Sequence, residues 1–304
     1  AGAVRKAIPG LLLVLVIQLL LVAVVYWPRV VNDGASSDAA ATEIDPADVT
    51  RLDIRDELEG EAQLTRVGDR WRLPALHNLP ADPEKVATLL AGLLSTNDSW
   101  PVAHSSAARQ RFEVADYLFQ RRINFSAGDQ QLDTIYLGTS PGFHKVHARH
   151  AGSDAIRAIV FNVYDAPADD NDWVDPRLLQ VRTPMRIDAD TYSVNREGGE
   201  WRSGSGGIPD ERELLALLVT LRSLQVQGVA DEKYVPLLED AEADLLLDID
   251  SLSGKISLAL YQLDGRHFIR SSEYPVFFRL NAYDYDRLSG IDFLLISGQA
   301  VPDF

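Results

Sequence analysis

The chain contains no cysteine. That absence excludes disulfides, thiolate zinc sites, iron–sulfur clusters and a cysteine nucleophile. Positive charge is scarce too: 29 Lys and Arg stand against 45 Asp and Glu, a formal net charge of −16. Such a balance argues against electrostatic binding of nucleic acid or of an anionic membrane surface. Three chemistry-bearing motifs are missing: the G-x-S-x-G nucleophile elbow, the H-E-x-x-H metal helix and the G-x-x-x-x-G-K-[ST] phosphate loop. What remains is ordinary globular composition, 46% hydrophobic and 24% charged over 304 residues, which excludes wholesale disorder. At ~150 residues per domain the length suggests two compact units.

An apolar run spans Leu11–Trp27, seventeen residues with Gln18 as its one polar member. At ~1.5 Å per residue, a helix of that length roughly matches the hydrocarbon core of a bilayer. Tyr26 and Trp27 stand where an interfacial aromatic anchor belongs, and Pro28 suits a helix end. The alternative is a cleaved signal peptide, with Ala39-Ala40-Ala41 as small residues downstream. Signal-peptide cores run about 7–15 residues, so the length here favours an uncleaved anchor. Arg5 and Lys6 precede the run and only Arg29 follows it closely, which places the N-terminus in the cytoplasm. The expectation is therefore a bacterial inner-membrane protein, single pass, with its main domain periplasmic or extracytoplasmic. Subtracting those three positive charges from −16 leaves −19 on the exported part. Gln18 could hydrogen-bond a partner helix or be a tolerated single amide. Residues 1–30 thus form the stub and anchor. Residues 31–45, small and polar over Asn32–Thr42, form a flexible linker.

An internal duplication follows. Leu64–Arg72 reads strand, turn, strand through Gly68-Asp69, and Ser193–Arg202 reads the same way through Gly198-Gly199. A helix follows each hairpin. The first begins near Asp82-Pro83 and buries Val86, Leu89, Leu90, Leu93 and Leu94 at helical spacing. The second begins near Pro209-Asp210 and repeats the pattern at Leu214, Leu217, Leu218 and Leu221. Strands are then expected at Arg122–Ser126, Asp133–Gly138, Lys145–His150 and Ala155–Asn162. Their counterparts are Asp244–Ile249, Lys255–Tyr261, His267–Ser271 and Val276–Asn281. Phe161-Asn162-Val163-Tyr164-Asp165 closes one block and Leu280-Asn281-Ala282-Tyr283-Asp284 the other. These correspondences predict an α+β fold. After the transmembrane helix come two tandem related modules, 46–180 and 181–304, each an antiparallel sheet with a covering helix.

Four constellations resemble sites. His144, His147 and His150 form H-x-x-H-x-x-H, but on a strand a spacing of three alternates faces, so scattered strand residues fit better than a metal site. Asp169, Asp170, Asn171, Asp172 and Asp175 crowd one segment without the glycine of a calcium loop, so a solvated acidic loop is expected. Ser203-Gly204-Ser205-Gly206-Gly207 precedes a helix, yet Asp210, Glu211 and Glu213 would repel a phosphate there, and a flexible β–α loop is expected. Ser105 beside His104 is a pair of sequence neighbours, which rarely form a triad. Trp71 and Trp201 are expected as core anchors. No catalytic, metal or cofactor-binding residue is assigned.

Leu64–Leu94, with its Gly-Asp-x-Trp hairpin, Leu-Pro-Ala-Asp and leucine-rich helix, resembles the domain of unknown function DUF4340. Ile135–Arg149 (Ile-Tyr-Leu-Gly-Thr-Ser-Pro-Gly-Phe-His-Lys-Val-His-Ala-Arg) is similar to that family's central segment, and Asn171-Asp172-Trp173 through Leu178-Leu179 to its acidic-aromatic stretch. The resemblance covers most of Val49 to Asp231. It implies a single-pass, envelope-facing accessory subunit that associates with the permease or auxiliary subunits of an ABC-2-type, gliding-auxiliary-like exporter. It supplies no catalytic residues and no cofactor. Three functions compete: a non-catalytic scaffold that binds partner proteins, a protein holding a lipid, peptide or glycan between the modules, and an envelope hydrolase with paired carboxylates.

Overall fold

The computed structural model describes residues 44–95 and 99–299, together with the isolated helical positions Leu15 and Gln18. The rest of the expected anchor Leu11–Trp27, and the expected linker through Glu43, lie outside the described residues. Among the described residues no helix is long and apolar enough to cross a membrane.

The fold is mixed α and β, dominated by two eight-stranded antiparallel sheets. The first holds β1 (Arg51–Asp56), β2 (Glu61–Val67), β3 (Arg70–Leu73), β4 (Leu79–Pro80), β7 (Arg121–Ala127), β8 (Gln130–Leu137), β9 (Lys145–His150) and β10 (Ile156–Val160). Between β4 and β7 lies a small ribbon, β5 (Val114–Ala115) with β6 (Leu118–Phe119). The second sheet holds β11 (Pro184–Ala189), β12 (Ser193–Glu197), β13 (Glu200–Ser203), β14 (Val226–Val229), β15 (Leu245–Ser251), β16 (Gly254–Leu263), β17 (Arg266–Ser271) and β18 (Phe277–Leu280). The spatial orders are β4-β3-β2-β1-β7-β8-β9-β10 and β13-β12-β11-β15-β16-β17-β18-β14. Apart from β4 and β14, the two orders are one order repeated: third, second, first, then fourth to seventh.

The strands form for a local reason. β1 reads Arg-Leu-Asp-Ile-Arg-Asp, alternates polar with apolar, and buries Leu52 and Ile54. Its neighbour β7 does the same with Ile123 and Phe125. Each covering helix starts at an aspartate. In α1 (Pro83–Leu94) the Asp82 carboxylate accepts from Glu84 N at 3.0 Å, and Val86, Leu89, Leu90 and Leu93 are buried. A short α2 (Ser106–Arg111) follows. In α3 (Glu211–Ser223) the Asp210 carboxylate accepts from Arg212 N and Glu213 N at 2.9 and 3.2 Å, and Leu217, Thr220 and Leu221 are buried. Leu214 and Leu218, expected in the buried face, are only half-buried there. The chain continues through α4 (Val235–Glu239), and the last elements of the described residues are α5 (Ala282–Ser289) and α6 (Phe293–Ile296). The repeated Asn-x-Tyr-Asp sequence is a cap: Asn162 accepts from Tyr164 N at 3.2 Å, and Asn281 accepts from Asp284 N at 2.8 Å.

One hydrophobic cluster runs through both sheets, from Val49 to Ile296. Residues 171–181 pass between the sheets and bond to each. On the first, Asp82 N donates to Trp173 O (2.8 Å) and Asp175 N to Pro80 O (2.9 Å), so the edge of β4 is closed. On the second, Val226 N donates to Pro176 O (2.9 Å) and Val229 N to Asn171 Oδ1 (2.7 Å), so the edge of β14 is closed. Gly228 fits there because it alone tolerates φ +96° with Asn171 Oδ1 3.0 Å from where a Cβ would stand. The sheets are thereby joined edge to edge.

Candidate functional site

The acidic segment is not a solvated loop. Asp170–Trp173 forms a 3-10 turn with Trp173 fully buried and its indole donating to Pro167 O at 2.9 Å. Asp170 accepts from Gln63 N (2.9 Å), and Lys85 donates to Asp172 O (2.7 Å). Burial, and then the nearby Asp169 and Glu61 charges, raise the Asp170 carboxyl above its usual range, while the Gln63 amide opposes them. Arg177 reaches Glu84 (2.6 Å), Asp82 and Asp175 (both 3.3 Å), and the hydrogen bonds and charges of Glu84 and Asp175 raise its affinity for its proton further. The sequence signal for this role was Trp173 itself, a large apolar ring inside an acidic run. What it packs against depends on pairing far along the chain.

The histidines separate as strand geometry requires. His144 is exposed in the turn before β9, with φ +53°. His147 is buried, with its ring stacked at 4.1 Å on Phe112 and Nδ1 2.8 Å from Thr139 O; burial lowers its pKa. His150 meets Asp133 at 2.5 Å. Among the described residues no group of three His, Cys, Asp or Glu is placed to hold a metal. Sequence reasoning passed over Arg149, which is 1% exposed. It donates to the carbonyls of Val114 (2.7 Å), His150 (3.2 Å), Ala151 (3.4 Å) and Ser153 (3.3 Å), pairs with Asp116 and lies over the Tyr136 ring.

The remaining candidates are engaged locally. Ser105 caps α2, accepting from Ala108 N at 3.2 Å. The Ser203–Gly207 loop is tied down rather than free: Ser203 N donates to Gly207 O (3.0 Å), and Ser205 Oγ to Ser297 O (3.1 Å). The Asp210 carboxylate already takes the first amides of α3, which leaves no open phosphate cradle at that terminus. Trp71 is a buried anchor, whereas Trp201 is half-buried.

A cleft of about 570 Å³ opens at the end of the first sheet, where β8 turns into β9 and β10 ends. Two aromatic side chains rim it in water, Phe143 at 88% and Tyr164 at 77% exposure. The loop that presents Phe143 is braced. Ser140 Oγ lies 2.7 Å from both Gly142 O and Lys145 O, and Lys145 N donates to Gly142 O at 3.2 Å. Gly138 lies so close to the roof of the sheet that a Cβ would stand 1.9 Å from Phe112 O. Tyr164 sits on the turn capped by Asn162. Val160, 72% exposed, pairs with Lys145 beside the cleft. A rigid loop that holds apolar rings in water suits binding. The Pro141-Gly142 turn was the sequence sign that the following ring would sit at a loop tip.

The family model for the domain of unknown function DUF4340 matches residues 71–243. The chain belongs to that family. The DUF4340 match begins in β3, contains the cleft, crosses the junction at residues 171–181 and stops just before β15. The match therefore spans the join between the sheets, while β1, β2 and β15–β18 fall outside it. No curated protein and no solved structure matches the chain.

Proposed function

We propose that the chain is a non-catalytic, single-pass membrane-anchored subunit of an ABC-2-type, gliding-auxiliary-like transporter complex. Its extracytoplasmic part, two copies of one sheet-and-helix unit, binds partner proteins. The observation that carries this reading is the braced loop that holds Phe143 in water beside Tyr164, on a body whose reactive-looking side chains are engaged in the fold. His147, His150, Ser105, Arg149 and Asp170 each hold a neighbouring segment in place. The junction supports an adaptor rather than a hinged ligand cleft, because Trp173, Val174, Leu179 and Val181 fill the space between the sheets. The anchor rests on the apolar run Leu11–Trp27 and its basic flank, and the transporter association on the family resemblance.

Purification of the full chain from its native membrane in mild detergent, with mass spectrometry of what accompanies it, tests the reading. A permease and its ATPase are expected in the eluate. Recovery of the chain by itself overturns the stable-subunit reading.

A further inference from the structure

The two covering helices bury the same face and show water different ones. Aligned on their capping aspartates, Asp82 and Asp210, they match Leu89 with Leu217 and Leu93 with Leu221, all buried. The outward positions do not match. In α1 they hold Ala87 and Ala91, both exposed and small. In α3 the same two positions hold Leu215 and Val219, 58% and 52% exposed. The first repeat thus shows that this helix, on this sheet, does without large apolar side chains in water. Leu214 and Leu218 of α3 are half-buried and pack against the core, whereas Leu215 and Val219 do not. One turn apart and next to Leu218, they make an apolar stripe along the outside of the helix.

The stripe is complementary to itself. Glu211, Leu215, Leu218 and Arg222 follow at intervals of four, three and four, the spacing of a seam between two helices. Laid antiparallel on a second α3, that seam sets Leu215 against the other Leu218 and Glu211 against the other Arg222, each contact occurring twice about a two-fold axis. A parallel pairing would set Glu211 on Glu211 and Arg222 on Arg222. Both charges are available. The Glu211 carboxylate makes no hydrogen bond or ion pair among the described residues, and the Arg222 guanidinium makes one long contact, 3.5 Å to Arg182 O. Acid in the first turn and base in the last also suit the dipole of α3, so the order costs a single chain nothing. The matching positions of α1 are Pro83 and Leu94, which cannot form such pairs.

We propose that the protein self-associates through α3, which packs antiparallel on α3 of a second copy of this chain. The Leu215 and Leu218 side chains form the centre of the contact, Val219 flanks them, and Glu211–Arg222 pairs close both ends. A second copy fits better than a different protein's helix, because an isologous contact requires a self-complementary order and a heterologous one does not. The 13 residues of α3 span about 20 Å. One helix pair of that length falls short of the ~1,200 Å² of a stable interface, so the association is reversible. It does not depend on the transporter reading.

The test is sedimentation equilibrium of the full chain in mild detergent. A monomer–dimer equilibrium is expected, with a dissociation constant below about 100 μM. Leu215→Ser combined with Val219→Ser should weaken it at least about tenfold. Glu211→Arg and Arg222→Glu, made separately, should each weaken it at least about threefold, because each turns two attractions into two repulsions. An equal mixture of those two single variants should associate as tightly as wild type, since each supplies the charge that the other lacks. Recovery on mixing also shows that both variants are folded. A monomer at every concentration up to about 0.5 mM overturns the proposal. Association that survives the double serine variant overturns it by placing the contact on another surface. Charge variants that associate like wild type, or that fail to recover on mixing, overturn the antiparallel pairing of two copies; the second result would hand the stripe to a helix of another protein.

Discussion

Residues 99–119 roof the outer face of the first sheet, residues 230–239 roof the outer face of the second, and different forces hold the two roofs. In the first, the Arg149 guanidinium reaches four carbonyls and Asp116, and His147 stacks on Phe112, around a small apolar patch of Val114, Tyr136 and Ile156. In the second, Ala230, Leu238, Phe268 and Phe277 pack together, with Tyr234 5.3 Å from Phe268 and Tyr261 5.5 Å from Phe277. Apolar packing is non-directional and grows with the area buried. Hydrogen bonds from a buried cation are directional and fix a position. The polar roof belongs to the half with the braced loop, and Gly138 of that loop lies against Phe112 and Glu113 of the roof. A shared fold thus carries one half built for position and one built for packing.

The largest effect should come from the element common to both halves. Trp173→Ala removes a fully buried ring from the junction, and large-to-small changes of this kind cost about 3–5 kcal/mol. Calorimetry of the full chain should show the two sheets, which share one core in the wild type, melting in separate steps. A single transition at an unchanged temperature would show that the coupling of the two sheets does not depend on the Trp173 ring.

The next effect should be confined to the first half. Arg149→Ala leaves buried carbonyls without their donor and should cost about 3 kcal/mol, the upper end of the roughly 1–3 kcal/mol scale for a buried polar group left unsatisfied. Asp116→Asn should cost under about 1 kcal/mol, because its side chain is 70% exposed. Hydrogen exchange should speed up across residues 99–119 in Arg149→Ala and stay unchanged across residues 230–239. Equal losses from the two substitutions would mean that the ion pair, rather than the carbonyl contacts, holds the roof.

Much of this architecture is legible in the residues, and the rest fails for identifiable reasons. The glycine turns, the aspartate caps and the leucine spacing mark both hairpins and both helices, and Lys145–His150 forms a strand at the expected bounds. β1 is hard to read in the sequence because its charged residues outnumber Leu52 and Ile54, its only apolar ones, and β11 because it opens on a proline and carries Arg186 and Asp188. The acidic segment read as solvated because its carboxylates are local and its partners Gln63, Pro80 and Val229 are distant in sequence. The cleft is legible only as a proline-glycine turn before an aromatic residue. Its second wall, at Asn162 and Tyr164, comes from a cap whose placement needs the sheet.

The smallest effect concerns pH and separates the roofs by chemistry. Burial lowers the His147 pKa, with the Thr139 carbonyl partly opposing it, so the folded state prefers the neutral ring. The unfolded chain then binds a proton more readily, near the ordinary value of 6.5. Stability therefore rises with pH across the interval from the lowered folded pKa up to 6.5 and is flat above it as far as this residue is concerned. Acidification below 6.5 should loosen the first roof, where protonation must charge a buried ring stacked on Phe112. The second roof places Phe268 and Phe277 in its core, so its exchange rates, corrected for intrinsic pH dependence, should stay level over the same interval. His147→Phe keeps an aromatic ring on Phe112 and removes the titrating nitrogen. It should abolish the difference between the roofs, and persistence of the difference in that variant would move its origin to another group.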